Sequence, residues 1–178
     1  IGGNNAGDVA SRITVESISE YFNLISLENT SEKIKASILA ANDILLKISD
    51  VNAEYRGMST TLALAVFQGN QMFWCNVGDS RIYFKLNSEL TQITKDDSLV
   101  QRLLDNGFIN QEQAINHPNK NVVIKSVGEN KNLEVEVNSF YLNEKDKWKI
   151  FLCTDGVTNV LSDQEIDDIL NNIDLQFR

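Results

Sequence analysis

Two short segments each deliver an aspartate beside a glycine at the end of an apolar run: Asn76-Val77-Gly78-Asp79-Ser80-Arg81 and Phe151-Leu152-Cys153-Thr154-Asp155-Gly156-Val157. A carboxylate at a strand end is held by the sheet yet open to water, which is the geometry a hard cation requires. Asp79 and Asp155 are therefore candidate ligands for Mg²⁺ or Mn²⁺. Asp next to Gly is also ordinary turn chemistry, and for either pair alone that reading stands beside the first. Zinc is poorly supplied, because the chain has one histidine, His117, and two cysteines, Cys75 and Cys153, each inside an apolar run. A Ser-His-Asp hydrolase fares no better, since His117 lies between Asn116 and Pro118 in a loop, where a histidine is commonly structural or solvated. Gly2-Gly3-Asn4-Asn5-Ala6-Gly7 could cradle an anion with free backbone N–H groups, or be an ordinary glycine-rich loop.

The elements that must hold these residues can be read from periodicity. Val9, Ile13, Ile18, Tyr21, Phe22 and Ile25 recur at helical spacing between Asp8 and Leu27. Asn29 with Glu32 reads as a helix start, after which Ile34, Ile38, Ala41, Leu45 and Ile48 mark a second buried face. Thr60–Phe67, Gln71–Val77 and Arg81–Leu86 are β-branched and aromatic runs separated by Gly69-Asn70 and Gly78-Asp79, and predict three neighbouring antiparallel strands. Leu99 to Leu104 predicts a short helix ending at Gly107, with another turn over Gln111–Asn116, so that 96–118 is a helical insertion. Strand texture returns at Asn121–Val127, at Leu133–Leu142 and at Trp148–Thr154, the last apolar enough to be central in a sheet. Ser162 with Glu165 opens a final helix through Ile166, Ile169 and Leu170. Helices grouped apart from strands, with no repeat or linker, predict one α+β layered domain.

Composition limits the partners. At 178 residues the chain is long enough for a sizeable core, and 42% hydrophobic with 23% charged residues is an ordinary globular balance. Twenty-five acidic against 16 basic residues give a formal charge of −9, which repels a nucleic-acid backbone. The densest basic stretch, Lys120 to Lys131, carries three lysines offset by Glu129 and no interleaved aromatics. No apolar run approaches the roughly 20 residues of a membrane span, so the cytoplasm is the expected compartment.

Taken in order, these segments resemble the type 2C, or PPM, family of metal-dependent serine/threonine protein phosphatases in its bacterial form. Ile1 to Ser11 is similar to the family's Asp-Gly-Met-Gly-Gly-His stretch, and Gly57-Met58-Ser59-Thr60-Thr61-Leu62 to its Gly-Met-Gly-Thr-Thr-Leu strand entry. Asn76 to Tyr83 resembles the Asn-Val-Gly-Asp-Ser-Arg block, and Leu90 to Ser98 the Leu-Thr-Asp-His-Ser segment. His117-Pro118, Asn121-Val122 and Val127-Gly128 are similar to the stretch after its flap, and Leu152–Val157 with Leu161-Ser162-Asp163 to its Ser-Asp-Gly block.

The resemblance implies a four-layer α-β-β-α sandwich over 1–178, with a flap at about 96–120. It implies hydrolysis of phosphoserine and phosphothreonine by a hydroxide bridged between two Mn²⁺ or Mg²⁺ ions. By position, Asp155 corresponds to the metal ligand of the Ser-Asp-Gly block and Asp79 to the ligand of a further, more weakly held ion. The family's first strands, with an Asp-Gly preceding the position of Ile1, and its closing Asp-Asn strand fall outside these 178 residues, so the expected site is incomplete on this chain alone. Asn4 stands where many relatives have His, and Asn159 where the family has Asp. An amide brings oxygen without charge, so Asn159 is expected to be a weak neighbour of a labile third metal. The expected partners are a phosphoprotein substrate and a cognate Ser/Thr kinase, without nucleic acid or a membrane segment. The alternative is a noncatalytic phosphatase-like domain that binds a partner or phosphoprotein. A haloacid dehalogenase reading of 152–158 fails because Cys153 stands where its nucleophilic Asp belongs.

Overall fold

A computed structural model describes residues 6–143 and 145–173. The first helix, α1 (Gly7–Leu24), and the second, α2 (Thr30–Val51), pack side by side. The start of α2 is the cap expected from the sequence, with the Asn29 side chain accepting the Glu32 N–H at 3.1 Å. Ile34, Ile38, Ala41 and Leu45 are fully buried along one face. The stripe on α1 runs through Ala10, Thr14, Ser17 and Ile18, while Tyr21 is exposed. Small residues let the two helices approach closely. The Thr14 and Ser37 hydroxyls are buried without cost because they donate to the Ala10 and Lys33 carbonyls, each at 2.8 Å.

The strands are β1 (Leu62–Gln68), β2 (Gln71–Val77), β3 (Arg81–Leu86), β4 (Glu89–Gln92), β5 (Asn138–Tyr141) and β6 (Trp148–Cys153). They form two antiparallel sheets, ordered β1-β2-β5 and β4-β3-β6. Helices α1 and α2 cover the first sheet through a core that includes Leu45, Met58, Cys75 and Val127. Between the sheets lie Met72, Ile82 and Phe84, with Phe67 stacked on Trp148 at 5.3 Å and Phe84 edge-on to Phe140 at 4.8 Å. The last helix, α6 (Asp163–Asn172), covers the second sheet with Ile166 and Leu170. Its start carries the expected capping box of Ser162 and Glu165. The result is the four-layer α-β-β-α sandwich.

Three expectations for strands are corrected. β1, β2 and β3 are not three neighbours, because the chain leaves the first sheet after β2 and enters the second. The cause is at Gly78, whose N–H donates to Asp97 Oδ2 at 3.0 Å and whose carbonyl accepts the Asp97 N–H at 2.9 Å. Those groups are therefore unavailable to close a hairpin. Residues 121–127 form no strand, since their backbone pairs with two different neighbours: Val122 and Ile124 with the 97–99 segment, and Val127 with Thr60. β6 pairs with β3 among the described residues. Its apolarity serves two layers, Phe151 and Cys153 packing under α6 while Trp148 turns to Phe67 and Phe84. The alternation expected from Leu133 survives as buried Leu133 and Val135, but the ladder begins only at Asn138.

Between β4 and β5 the chain makes helix α3 (Leu99–Asp105), capped by Ser98, and helix α4 (Gln111–Ile115), capped by Asn110. The neck of this insertion is closed by Leu99 N–H to Val122 O at 2.8 Å and Ile124 N–H to Asp97 O at 2.9 Å.

Gly78 has φ +97, and a Cβ there would lie 2.5 Å from Thr61 Cγ2 and 3.0 Å from Thr61 Cβ. Gly78→Ala combines left-handed strain with a clash, and is expected to cost on the order of 2–4 kcal/mol in urea unfolding. Adding Thr61→Ala removes the nearer contact and recovers only part of that loss.

Candidate functional site

The register of the second sheet brings the two candidate carboxylates together. Arg81 pairs with Cys153 at the end of the β3–β6 ladder, and two residues beyond that pair are Asp79 on one side and Asp155 on the other. Asp79 sits in the crossing between the sheets, and Asp155 opens the short helix α5 (Asp155–Thr158) directly after β6. Both line one cleft of about 640 Å³. The Asp79 carboxyl is raised above the ordinary carboxylate range, first by burial and then by the negative charge of Asp155. Asn159 donates from Nδ2 to Asp155 Oδ2 at 3.1 Å, and its backbone N–H reaches Asp155 O at 2.8 Å. Asn159 therefore backs and orients Asp155.

Two further aspartates line the cleft but are already engaged. Asp96 accepts Arg81 Nε at 2.9 and 3.1 Å, Arg81 Nη2 at 2.6 Å and Gln92 Nε2 at 3.2 Å. Asp163 accepts the Tyr83 hydroxyl at 2.8 Å, and Tyr83 in turn accepts Arg81 Nη1 at 3.3 Å. Burial pushes the Tyr83 phenol up to about 12, so it keeps its proton and donates. Sequence reasoning placed Arg81, Asp96 and Asp163 inside family blocks but assigned them no role. The available signal was the alternation of Arg81, Tyr83 and Lys85, which sets three polar groups on the α6 side of β3.

The two carboxylates at this edge are oxygen donors of the kind a hard cation takes. An anionic phosphoester is repelled by Asp79 and Asp155 unless positive charge stands between them; of the cations lining the cleft among the described residues, Arg81 is occupied by Asp96 and Lys120 is the other. Among the described residues no three His, Cys, Asp or Glu side chains gather as a full ligand set. Two carboxylates still suit Mg²⁺ or Mn²⁺, since such an ion keeps several waters and binds through one or two carboxylates with substrate phosphate. His117 is accounted for by the turn, its Nδ1 accepting the Asn119 N–H at 3.1 Å. Cys75 and Cys153 are free thiols, and burial pushes Cys75 up to about 12 and raises Cys153. The expected anion cradle at Gly2–Asn5, with Asn4, lies outside the described residues.

Helix pair, two sheets and a helix, with an oxygen-donor edge where the second sheet ends, define a layered α-β-β-α domain with a carboxylate-lined cleft. The family model described as Protein phosphatase 2C matches residues 1–176, and the chain belongs to the protein phosphatase 2C family. It is similar to the serine/threonine phosphatase stp of Listeria welshimeri, with 36% identity over 177 residues that cover 97% of this chain and 69% of the relative. It is also similar to the serine/threonine protein phosphatase PstP of Mycobacterium tuberculosis, at 32% over 170 residues covering 96% of this chain and 32% of that one. Among solved structures, the Staphylococcus aureus serine/threonine phosphatase Stp1 superposes with a TM-score of 0.88 at 32% identity, covering 98% of this chain and 69% of its own. The catalytic domain of PstP, solved with two manganese ions, gives 0.81 at 30% identity, covering 96% and 70%.

A carboxyl raised in the folded state favours its protonated form. Its contribution to stability is full below the ordinary value of 3.8 and is lost as pH rises through the raised value. In the metal-free protein, Asp79→Asn is expected to raise the thermal midpoint at pH 7 and to change it little at pH 3. Scanning calorimetry at the two pH values checks this, and an equal gain at both would remove charge as the cause.

Proposed function

We propose that this chain hydrolyses phosphoserine and phosphothreonine in proteins, through a Mn²⁺ or Mg²⁺ centre at the Asp79–Asp155 edge. The observation that carries the reading is the convergence of these two carboxylates on one cleft, within a chain that belongs to the protein phosphatase 2C family. The relatives are named serine/threonine phosphatases, so the noncatalytic alternative is not favoured. When bound, the metal supplies positive charge to the phosphoryl oxygens and an acidified water.

The chain's own residues do the rest. Asp155 would hold a core ion and Asp79 a further, more weakly held one, and the Asn159 amide, donating to Asp155 Oδ2, orients the Asp155 carboxylate. Asn159 brings no charge to a further ion, which makes a third metal labile. The insertion at 96–120 is the flap in this reading, and it supplies Leu104, Ala114 and Ile115 to the wall that a phosphoprotein meets. A cognate Ser/Thr kinase and a cytoplasmic site of action complete the proposal. Two free thiols suit a reducing compartment, and no helix of the described residues is long and apolar enough to cross a membrane.

The test is Mn²⁺-dependent phosphate release from an aryl phosphate and from a phosphothreonine peptide, with Asp155→Asn as control. Loss of this carboxylate is expected to cut turnover roughly 100-fold or more. No release above the mutant would move the assignment to a binding module. Titration calorimetry with Mn²⁺ is expected to resolve tight core sites and a weaker further one, and three equally tight sites would refute the role given to Asn159.

A further inference from the structure

Asp79 lies between two ties that reach the same neck of the insertion. On one side Asp97 takes the Gly78 N–H through Oδ2 and returns its own N–H to the Gly78 carbonyl. On the other, Arg81 grips Asp96 with Nε and Nη2 in a forked contact at 2.6 to 3.1 Å. The Arg81 guanidinium has a second hold, from Nη1 to the Tyr83 hydroxyl, and Tyr83 passes it to Asp163 at the first turn of α6. Asp163 follows α5, whose first residue is Asp155. One guanidinium thus joins the strand behind Asp79, the start of the insertion and the segment behind Asp155. Arg81, Asp96 and Asp163 all line the same cleft.

We propose that Arg81 is a positioning residue that fixes the insertion relative to the Asp79–Asp155 edge, and thereby sets how well the site accepts a protein phosphoester as opposed to a small one. The inference rests on the function proposed above. A small aryl phosphate needs only the edge. A phosphopeptide also meets α3 and α4, whose Leu104, Ala114 and Ile115 form the opposite wall. The planar fork is essential to this role, because it satisfies Asp96 and Tyr83 at once; a lysine ammonium keeps the charge but cannot span both. Asp96 is held by Gln92 as well, so the neck stays folded when the fork is lost and only its placement loosens.

The test compares the full chain with Arg81→Lys and Asp96→Asn on both substrates. Expected for each variant is a KM for a phosphothreonine peptide raised about tenfold, the scale of one lost charged hydrogen bond, with kcat and the aryl phosphate kinetics within about threefold of the parent. Hydrogen exchange supplies a readout that needs no turnover: amides of residues 99–115 are expected to exchange about tenfold faster, while those of α2 stay unchanged. Equal losses on both substrates, or unaltered exchange at 99–115, would overturn the role. If the parent releases phosphate from neither substrate, it is the phosphatase reading that fails, and the exchange result still decides whether Arg81 holds the insertion. Should Arg81→Lys fold poorly, Asp96→Asn, at the more buried end of the same ion pair, removes the charge and one arm of the fork and carries the comparison.

Discussion

The architecture turns on the crossing at Gly78-Asp79-Ser80, where the chain quits one sheet for the other. A conventional hairpin at this point would have left β3 beside β2 and produced a single sheet with one covered face. Instead the Gly78 peptide groups are taken by Asp97, and the Ser80 hydroxyl meets Thr61 Oγ1 at 2.7 Å. Three consequences share this cause. The two sheets stack, an aspartate is left at their rim, and the base of the insertion is pinned beside that aspartate. The left-handed glycine and the acidic rim are thus aspects of one bend.

β3 divides its labour by face. Ile82 and Phe84 point into the dry layer between the sheets, while Arg81, Tyr83 and Lys85 face α6. The helix is seated as much by polar contacts as by Ile166 and Leu170: Lys85 pairs with Asp167, and Lys149 donates to the Leu170 and Ile173 carbonyls at the C-terminal end. Lysine at that end also complements the helix dipole. Desolvation offsets most of the energy of a buried pair such as Lys85–Asp167, so its contribution is to registration of the helix more than to net stability. Registration is what the cleft requires, because the first turn of α6 forms part of its wall.

Much of this was legible where the signal is local. The Asn29 cap, the Ser162–Glu165 box, the α2 stripe and the stop at Gly107 each depend on residues within a turn or two, and each is found. Asp79 and Asp155 could be singled out because short blocks around them carry recognisable wording, and the β3–β6 register then sets them face to face. What escaped was long-range. Nothing in the wording of 76–81 says that Gly78 will bond to Asp97, or that Arg81 will choose Asp96, 15 residues away. The Tyr83–Asp163 contact spans 80 residues, and the pairing of Val127 with Thr60 crosses most of the domain. Periodicity reports which face is apolar; it carries no record of which polar group will be waiting opposite.

The two ends of the sandwich are fastened by different kinds of force. At the rim the contacts are forked, directional and charged, through Arg81, Asp96 and Asp97. At the far end the sheets meet through rings, Phe67 on Trp148 and Phe84 against Phe140 and Trp148. Ring packing depends on volume and tolerates sliding, whereas a guanidinium fork tolerates neither a shorter reach nor a different shape. Descendants of this sequence can therefore drift at the ring end by exchanging one bulky side chain for another. At the rim even Arg81→Lys keeps the charge but loses the fork, so the sandwich is more permissive of substitution at one end than at the other.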